Sequence, residues 1–324
     1  MGKISVGKYR GMQRLSNGAG SLSMCALDHR GSLKKMLKGA MGTDPSYQDM
    51  VDFKMDICEA LSMWASAILL DPLYGASQAI ANDSIDGSTG LVVSLEETGY
   101  TGEAESRISR ELANWSAAKV RRMGADAAKL LLYYRPDVDV AGKQLGLVRK
   151  LAADCEAQDL PFVVEPVGYA VGDESSGGGY AKKRPEVVIQ TAKEITPLGI
   201  DVLKAEFPVD VSVDTDESAM LEFCKRLDGA SEVPWIILSG GVDFEWFKRQ
   251  VEIACKAGAS GFLGGRALWQ EATSMESREE RIEFFNTVVV DRLRLITAIA
   301  DAYGTPWFAR VDAPEVSEDW HAAY

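Results

Sequence analysis

Eight short apolar runs recur along the 324-residue chain, at residues 21–27, 67–70, 90–95, 127–134, 161–167, 202–208, 234–241 and 259–266. Each has the length of a buried strand. Between them, at 47–64, 103–123, 140–158, 185–196, 216–227 and 244–257, apolar residues return near helical spacing. Strand and helix alternating through one chain predict a parallel sheet. Eight repeats with no domain-splitting linker predict that the sheet closes, giving an α/β fold of the (β/α)8 TIM-barrel type. An open doubly wound sheet is the competing arrangement, but no GxGxxG follows the first run, where a dinucleotide-binding fold would carry it. Residues 1–324 are therefore expected to form a single barrel domain ending in a long helix, about 277–303, and a tail from 304 to 324. Trp307, Phe308, Trp320 and Tyr324 make that tail too aromatic to be merely solvated. It is expected to dock on the barrel or on a neighbouring subunit of a homo-oligomer.

Charge and inventory exclude several function classes. With 35 Lys+Arg against 48 Asp+Glu the net charge is -13, which speaks against nucleic acid or an anionic membrane as a partner. An anionic small molecule would have to meet a local basic site. The five cysteines, Cys25, Cys58, Cys155, Cys224 and Cys255, are far apart and form no CxxC, as suits a reducing cytoplasm. Only His29 and His321 are present, so a zinc site built on several histidines is excluded; no metal or other cofactor is expected. The N-terminal residues lack the apolar stretch of a signal peptide, and no run reaches the length of a membrane span.

A barrel of this type builds its active site from the C-terminal ends of its strands and the loops that follow. Polar residues that interrupt or end the apolar runs are few: Asp28, His29 and Arg30 at the first, Lys129 in the fourth, Glu165 in the fifth, Lys204 in the sixth, Ser239 at the seventh and Arg266 at the eighth. Lys204 is the most telling, because an ammonium inside a short apolar strand is costly unless it is paired, near the surface, or kept for the chemistry of its neutral amine. A lysine whose pKa is depressed attacks ketones to form a Schiff base. Alternation places Lys204 on one face with Glu206 and Asp28 with Arg30. If Lys129 also points inward, its repulsion of Lys204 is expected to lower one of the two pKa values, with Glu165 between them to move protons. The competing reading of Lys129 and Glu165 is a buried ion pair that fills the barrel, and of Lys204 a lysine snorkelling or paired with Glu206. Ser239-Gly240-Gly241 and Gly264-Gly265-Arg266 end the last two runs, where glycine amides and an arginine fork suit a phosphate; tight turns with a surface arginine are the alternative. His29 can bond a substrate hydroxyl or be a satisfied structural group. The Gly- and Ser-rich 172–184 segment, with Lys182-Lys183-Arg184, reads as a mobile loop at the catalytic face.

These residues, in this order, resemble the class I aldolases of the tagatose 1,6-bisphosphate aldolase family. The likeness is carried by Ala26-Leu-Asp-His-Arg-Gly-Ser-Leu33, Leu69-Leu-Asp-Pro-Leu-Tyr-Gly75, Gly124-Ala-Asp-Ala-Ala-Lys-Leu-Leu-Leu-Tyr-Tyr134, Val164-Glu-Pro-Val167, Asp201-Val-Leu-Lys-Ala-Glu-Phe-Pro208, Leu238-Ser-Gly-Gly-Val242 and Gly264-Gly-Arg-Ala-Leu-Trp269. The resemblance implies a metal-independent lyase that cleaves a phosphorylated ketohexose, with Lys204 as the Schiff-base lysine, Glu165 as general acid/base, and Asp28 and Lys129 as a supporting pair. Ser239, Gly265 and Arg266 fall where the family holds a phosphate. His29 stands where tagatose enzymes commonly have glutamine. Pro234-Trp-Ile-Ile-Leu-Ser-Gly-Gly-Val-Asp243 and Gly258-Ala-Ser-Gly-Phe-Leu-Gly-Gly-Arg-Ala-Leu-Trp269 resemble at least as well the sulfofructose-phosphate aldolase branch, whose ketose 1-phosphate carries a sulfonate at its far end. A non-catalytic sugar-phosphate sensor is the reading from another class.

Overall fold

In the computed structural model, which describes residues 4–175 and 178–324, each of the eight apolar runs contains a strand. They are β1 (Leu22–Leu27), β2 (Ala67–Leu70), β3 (Gly90–Ser94), β4 (Ala127–Tyr133), β5 (Phe162–Val167), β6 (Val202–Ala205), β7 (Trp235–Leu238) and β8 (Gly261–Gly264). They pair in parallel in sequence order, and β8 returns to β1, so the sheet closes as a barrel with no free edge.

Strand alternation divides the core in two. Outward residues such as Ile68, Val93, Leu130, Val164, Leu203 and Ile237 join the large cluster beneath the surrounding helices. Inward residues form a separate cluster that includes Met24, Ala26, Leu69, Val92, Ala127, Val163, Val202, Ile236 and Leu263. This apolar layer sets the height of the chemistry. Two residues further along four of these strands, on the same inward face, stand Asp28, Lys129, Glu165 and Lys204.

The floor of the barrel is laid by both ends of the described chain. The helix Val6–Leu15 contributes Met12 and Leu15 to the inner cluster, and Trp307 from the tail joins them, 2% exposed. The Trp307 indole donates to Ser16 Oγ at 3.0 Å and meets Tyr9 edge-on at 5.0 Å, while its backbone N–H bonds Gly20 O at 3.1 Å. The tail thus docks on its own barrel through Trp307, whereas Phe308, Trp320 and Tyr324 stay largely exposed.

Two local expectations change. The 103–123 stretch is helical only at Ala117–Arg122. Before it runs an extended arm with antiparallel bridges Glu96↔Glu111 and Thr101↔Ile108. Gly102, at φ +87°, lies so close to the returning strand of the arm that a Cβ would meet Ser106 O at 2.4 Å. Lys182-Lys183-Arg184 belongs to the helix Gly179–Ile195 and not to a loop. Lys183 reaches Glu174 at 2.6 Å and Arg184 reaches Glu206 at 3.5 Å, while part of the expected mobile loop, residues 176–177, lies outside the described residues. The terminal helix runs as Arg278–Phe284 and Val290–Tyr303 through a π-helical turn at Phe285–Val289, and Ser277 caps it with Glu280 in a capping box.

Since Trp307 fills the floor, Trp307→Ala should lower stability by about 3–5 kcal/mol, as for other buried aromatic truncations. Equilibrium urea unfolding followed by circular dichroism measures this. An unchanged midpoint would show that the tail is not part of the core.

Candidate active site

Lys129, which interrupts β4, is fully buried and stands where three carboxylates converge: Asp28 Oδ2 at 2.6 Å, Glu165 Oε2 at 2.9 Å and Glu96 Oε1 at 3.0 Å. Burial alone would push its ammonium down, but Asp28, Glu165 and Glu96 outweigh that and hold the pKa well above the usual lysine value. Of the two lysines, one of which was expected to fall by mutual repulsion, Lys129 rises instead. Three anions within 3.0 Å outweigh burial.

Glu165 is shared. Its Oε1 takes Lys204 Nζ at 2.9 Å while its Oε2 takes Lys129. Burial raises the Glu165 carboxyl, yet Lys129 and Lys204 together bring it below the ordinary range. Asp28 behaves alike: burial raises it, and Lys129, His29 and Lys204 lower it further than burial lifts it. Lys204 itself is 3% exposed and has, among the described residues, a single carboxylate partner. The partner suggested by strand alternation, Glu206, faces elsewhere. β6 ends at Ala205, and the Glu206 carboxylate accepts the Gly168 N–H at 2.8 Å and pairs with Arg184.

At the ends of β7 and β8, Ser239, Gly240, Gly264, Gly265 and Arg266 come together as the strand-end pattern predicts. The Gly265 N–H points at Ser239 Oγ, 3.5 Å away. The Arg266 guanidinium lies against Gly241, where a Cβ would come within 3.0 Å of Arg266 Cζ. The Arg266 backbone oxygen accepts the Gln270 N–H, but among the described residues its guanidinium makes no hydrogen bond or ion pair. Its fork is therefore open to an anion.

His29 sits between the two halves of the site. A Cβ on Gly265 would come within 2.7 Å of its Cε1, and its ring meets Trp269 edge-on at 5.1 Å. The Trp269 indole in turn donates to Ala26 O at 3.2 Å, tying the end of β8 to β1. Burial pushes the imidazolium down, Asp28 opposes this, and Arg266 and Lys204 add to the fall, so the pKa drops to about 4. Arg30 is committed to Glu96, donating to its backbone oxygen at 2.8 Å.

Two groups escaped the sequence reading. Glu96 follows Val92 and Ser94 at strand spacing, so the alternation that picked out Lys129 could have found it. Lys54 could not be found that way. It lies on the helix Tyr47–Leu61, fully buried, and bonds Leu27 O at 2.5 Å and the Asp71 carboxylate, tying the end of β1 to the end of β2. The carboxylates at the centre of the site converge on an ammonium, and no group of His, Cys, Asp or Glu among the described residues is arranged to hold a metal ion.

The fall of the His29 pKa from 6.5 to about 4 means that the unfolded chain binds a proton first as pH drops. The stability it contributes is present above about pH 6.5 and is lost as pH falls toward 4. His29→Gln should flatten stability against pH across that window. With two histidines in the chain, the His29 imidazole resonance can be assigned with a His321→Gln variant, and it should remain that of the neutral ring at pH 5.5. A midpoint near 6.5 would contradict this.

Comparison with known proteins bears on the same residues. The family model described as DeoC/LacD family aldolase matches residues 22–271, from β1 to just past β8. The tagatose 1,6-diphosphate aldolase of Listeria monocytogenes serovar 1/2a is 34% identical over 96% of this chain and 96% of its own length. The tagatose 1,6-diphosphate aldolase 2 of Enterococcus faecalis is 33% identical over 96% of this chain and 99% of its own. Among solved structures, the fructose-bisphosphate aldolase of Plasmodium falciparum shares the fold at a TM-score of 0.70 and 13% identity, covering 94% of this chain and 98% of its own. A closed barrel, a polar layer above its apolar filling and this match across β1 to β8 lead to one conclusion: the chain belongs to the DeoC/LacD family of aldolases.

Proposed function

We propose that this protein is a class I aldolase that cleaves tagatose 1,6-bisphosphate to dihydroxyacetone phosphate and glyceraldehyde 3-phosphate, with no metal or other cofactor. One observation carries the reading: a buried lysine, Lys204, whose single acidic partner among the described residues is a carboxylate also held by a second lysine with a raised pKa. The full-length likeness to enzymes named for tagatose 1,6-diphosphate supports the choice of sugar. No described helix is long and apolar enough to cross a membrane, and we place the enzyme in the cytoplasm with its metabolic relatives.

Lys204 Nζ gives a proton to Glu165 and attacks the C2 ketone; the resulting carbinolamine takes a proton back and loses water, leaving an iminium. Glu165 then accepts the proton of the C4 hydroxyl as the C3–C4 bond breaks. The electron pair of that bond flows into the iminium as an enamine, and the aldehyde leaves. Protonation at C3 and hydrolysis free dihydroxyacetone phosphate and return Lys204. Lys129 serves as a fixed cation that keeps Asp28 and Glu165 ionised, and Asp28 orients hydroxyls. Ser239, Gly240, Gly264, Gly265 and Arg266 hold the C1 phosphate; neutral His29, which can donate or accept, meets the hydroxyls beside it.

Borohydride added with dihydroxyacetone phosphate should fix a three-carbon fragment on Lys204, and Lys204→Arg should lose both labelling and turnover, because guanidinium does not deprotonate in proteins. Peptide mapping decides the point: label on Lys129 would sink the assignment. Glu165→Gln should cut kcat by about 10²- to 10⁴-fold, the usual size of a lost general acid/base, with little change in affinity for inorganic phosphate. Near-normal kcat with a raised KM would reduce Glu165 to a binding group.

A further inference from the structure

A hexose chain with an anion at each end needs a second basic group opposite the first. The first lies at the ends of β7 and β8, and in a closed barrel of eight strands the diametrically opposite rim is that of β3 and β4. Other cations near the mouth have carboxylate or carbonyl partners: Lys183 with Glu174, Arg184 with Glu206 and Arg30 with the Glu96 carbonyl. At the opposite rim stands Arg107, carried by the arm that leaves β3.

Its setting is unusual for an arginine. The guanidinium lies over the rings of Tyr100 at 4.7 Å, Tyr169 at 4.7 Å and Tyr133 at 5.6 Å. Among the described residues no carboxylate comes within 4.0 Å of it, although Glu103 and Glu105 lie on the same arm. Among the described residues the guanidinium is hydrogen-bonded through Nε alone, to Ala104 O at 3.0 Å, which leaves both terminal nitrogens available. Ring faces stabilise a cation without neutralising it, so the fork keeps its charge for a ligand.

The arm is also firmly built. Thr101 and Ile108 exchange backbone hydrogen bonds of 3.0 and 2.8 Å, and the Tyr133 N–H bonds Ser109 Oγ at 2.8 Å. The Arg107 N–H donates to the Tyr169 hydroxyl at 3.3 Å, and the Gly172 N–H reaches Glu105 Oε1 at 2.9 Å. Tyr133 links the cluster to the chemistry. It lies on the inward face of β4, two strand steps beyond Lys129, and its phenol feels Lys129, Glu165 and Arg107 together.

We infer that Arg107, with Tyr100, Tyr133 and Tyr169 as its cradle, binds the anionic group at the far end of the substrate and sets the preference for ketoses charged at both ends. The inference rests on the aldolase reading above. Phosphoryl and sulfonyl groups present the same trigonal face of oxygens to the fork, and the assay has an arm for each.

The test compares wild type with Arg107→Met on three substrates: tagatose 1,6-bisphosphate, tagatose 1-phosphate, and 6-deoxy-6-sulfofructose 1-phosphate. Expected is a rise of tenfold or more in KM for whichever doubly anionic ketose wild type prefers, while kcat/KM for tagatose 1-phosphate changes less than about twofold, little beside the roughly 1.4 kcal/mol that tenfold represents. Arg107→Lys, which keeps the charge and loses the fork, should fall between. Equal losses on the singly and doubly anionic ketoses would make the residue merely structural and overturn the inference, as would an unaltered bisphosphate KM. Hexitol 1,6-bisphosphate and hexitol 1-phosphate, which cannot form a Schiff base, separate this inference from the aldolase reading. Calorimetry should show the bisphosphate bound more tightly by wild type and not by Arg107→Met. That result with no dihydroxyacetone phosphate released would remove the aldolase reading and leave the anion site standing, whereas equal affinities in wild type would remove the anion site alone.

Discussion

An ammonium surrounded by three carboxylates inside a protein is the constraint on which the rest of the site depends. Burial alone would drive Asp28 and Glu165 toward their neutral forms and Lys129 toward its free amine. Together they fix one another as ions, and only while all stay in place. The backbone pays part of the cost: the Leu131 N–H donates to Glu96 Oε2 at 3.0 Å, and Arg30 holds the Glu96 carbonyl. The cluster draws Asp28 from β1, Glu96 from beyond β3, Lys129 from β4 and Glu165 from β5, so it also braces one half of the barrel mouth. Buried ionic groups of this kind are a poor source of stability and a good source of fixed geometry.

The two lysines show how environment divides labour between chemically identical groups. They are carried by neighbouring-but-one strands and touch opposite oxygens of one carboxylate. Lys129 is ringed by anions and kept as a cation. Among the described residues Lys204 has Glu165 as its single carboxylate partner, the group we propose takes and returns its proton. A general acid/base is most useful when the group it serves is already hydrogen-bonded to it, and here that contact exists before any substrate arrives.

Much of this was legible in the sequence because barrel strands obey a period of two and are filled by apolar residues. A charged residue that interrupts such a run stands out, and Asp28, Lys129, Glu165 and Lys204 did so for that reason. What misled was local pattern without tertiary context. Ile108, Leu112 and Trp115 are spaced like one face of a helix, yet they belong to an arm that folds down over the barrel, where Trp115 donates its indole N–H to Ser94 O at 3.1 Å. Gly99 and Gly102, both at positive φ, were the signal for the turn. Glycines upstream made Lys182-Lys183-Arg184 read as a loop, although charge partners distant in sequence hold it as helix. The sign of the Lys129 shift depends on Asp28 first, then on Glu165 and Glu96, and only the paired strands bring all three to its ammonium.

The floor of the barrel has a consequence for how the protein comes into being. Met12 and Leu15 lie near one end of the described chain and Trp307 near the other, yet all three meet in a single layer beneath the interior. During synthesis the strands can begin to pair while the ribosome is still at work, but this layer stays incomplete until Trp307 has emerged. Until then water can enter from below, and the ionic cluster above lacks the dry surroundings that give its charges their hold. Catalytic competence should therefore appear late and abruptly in the life of each nascent chain.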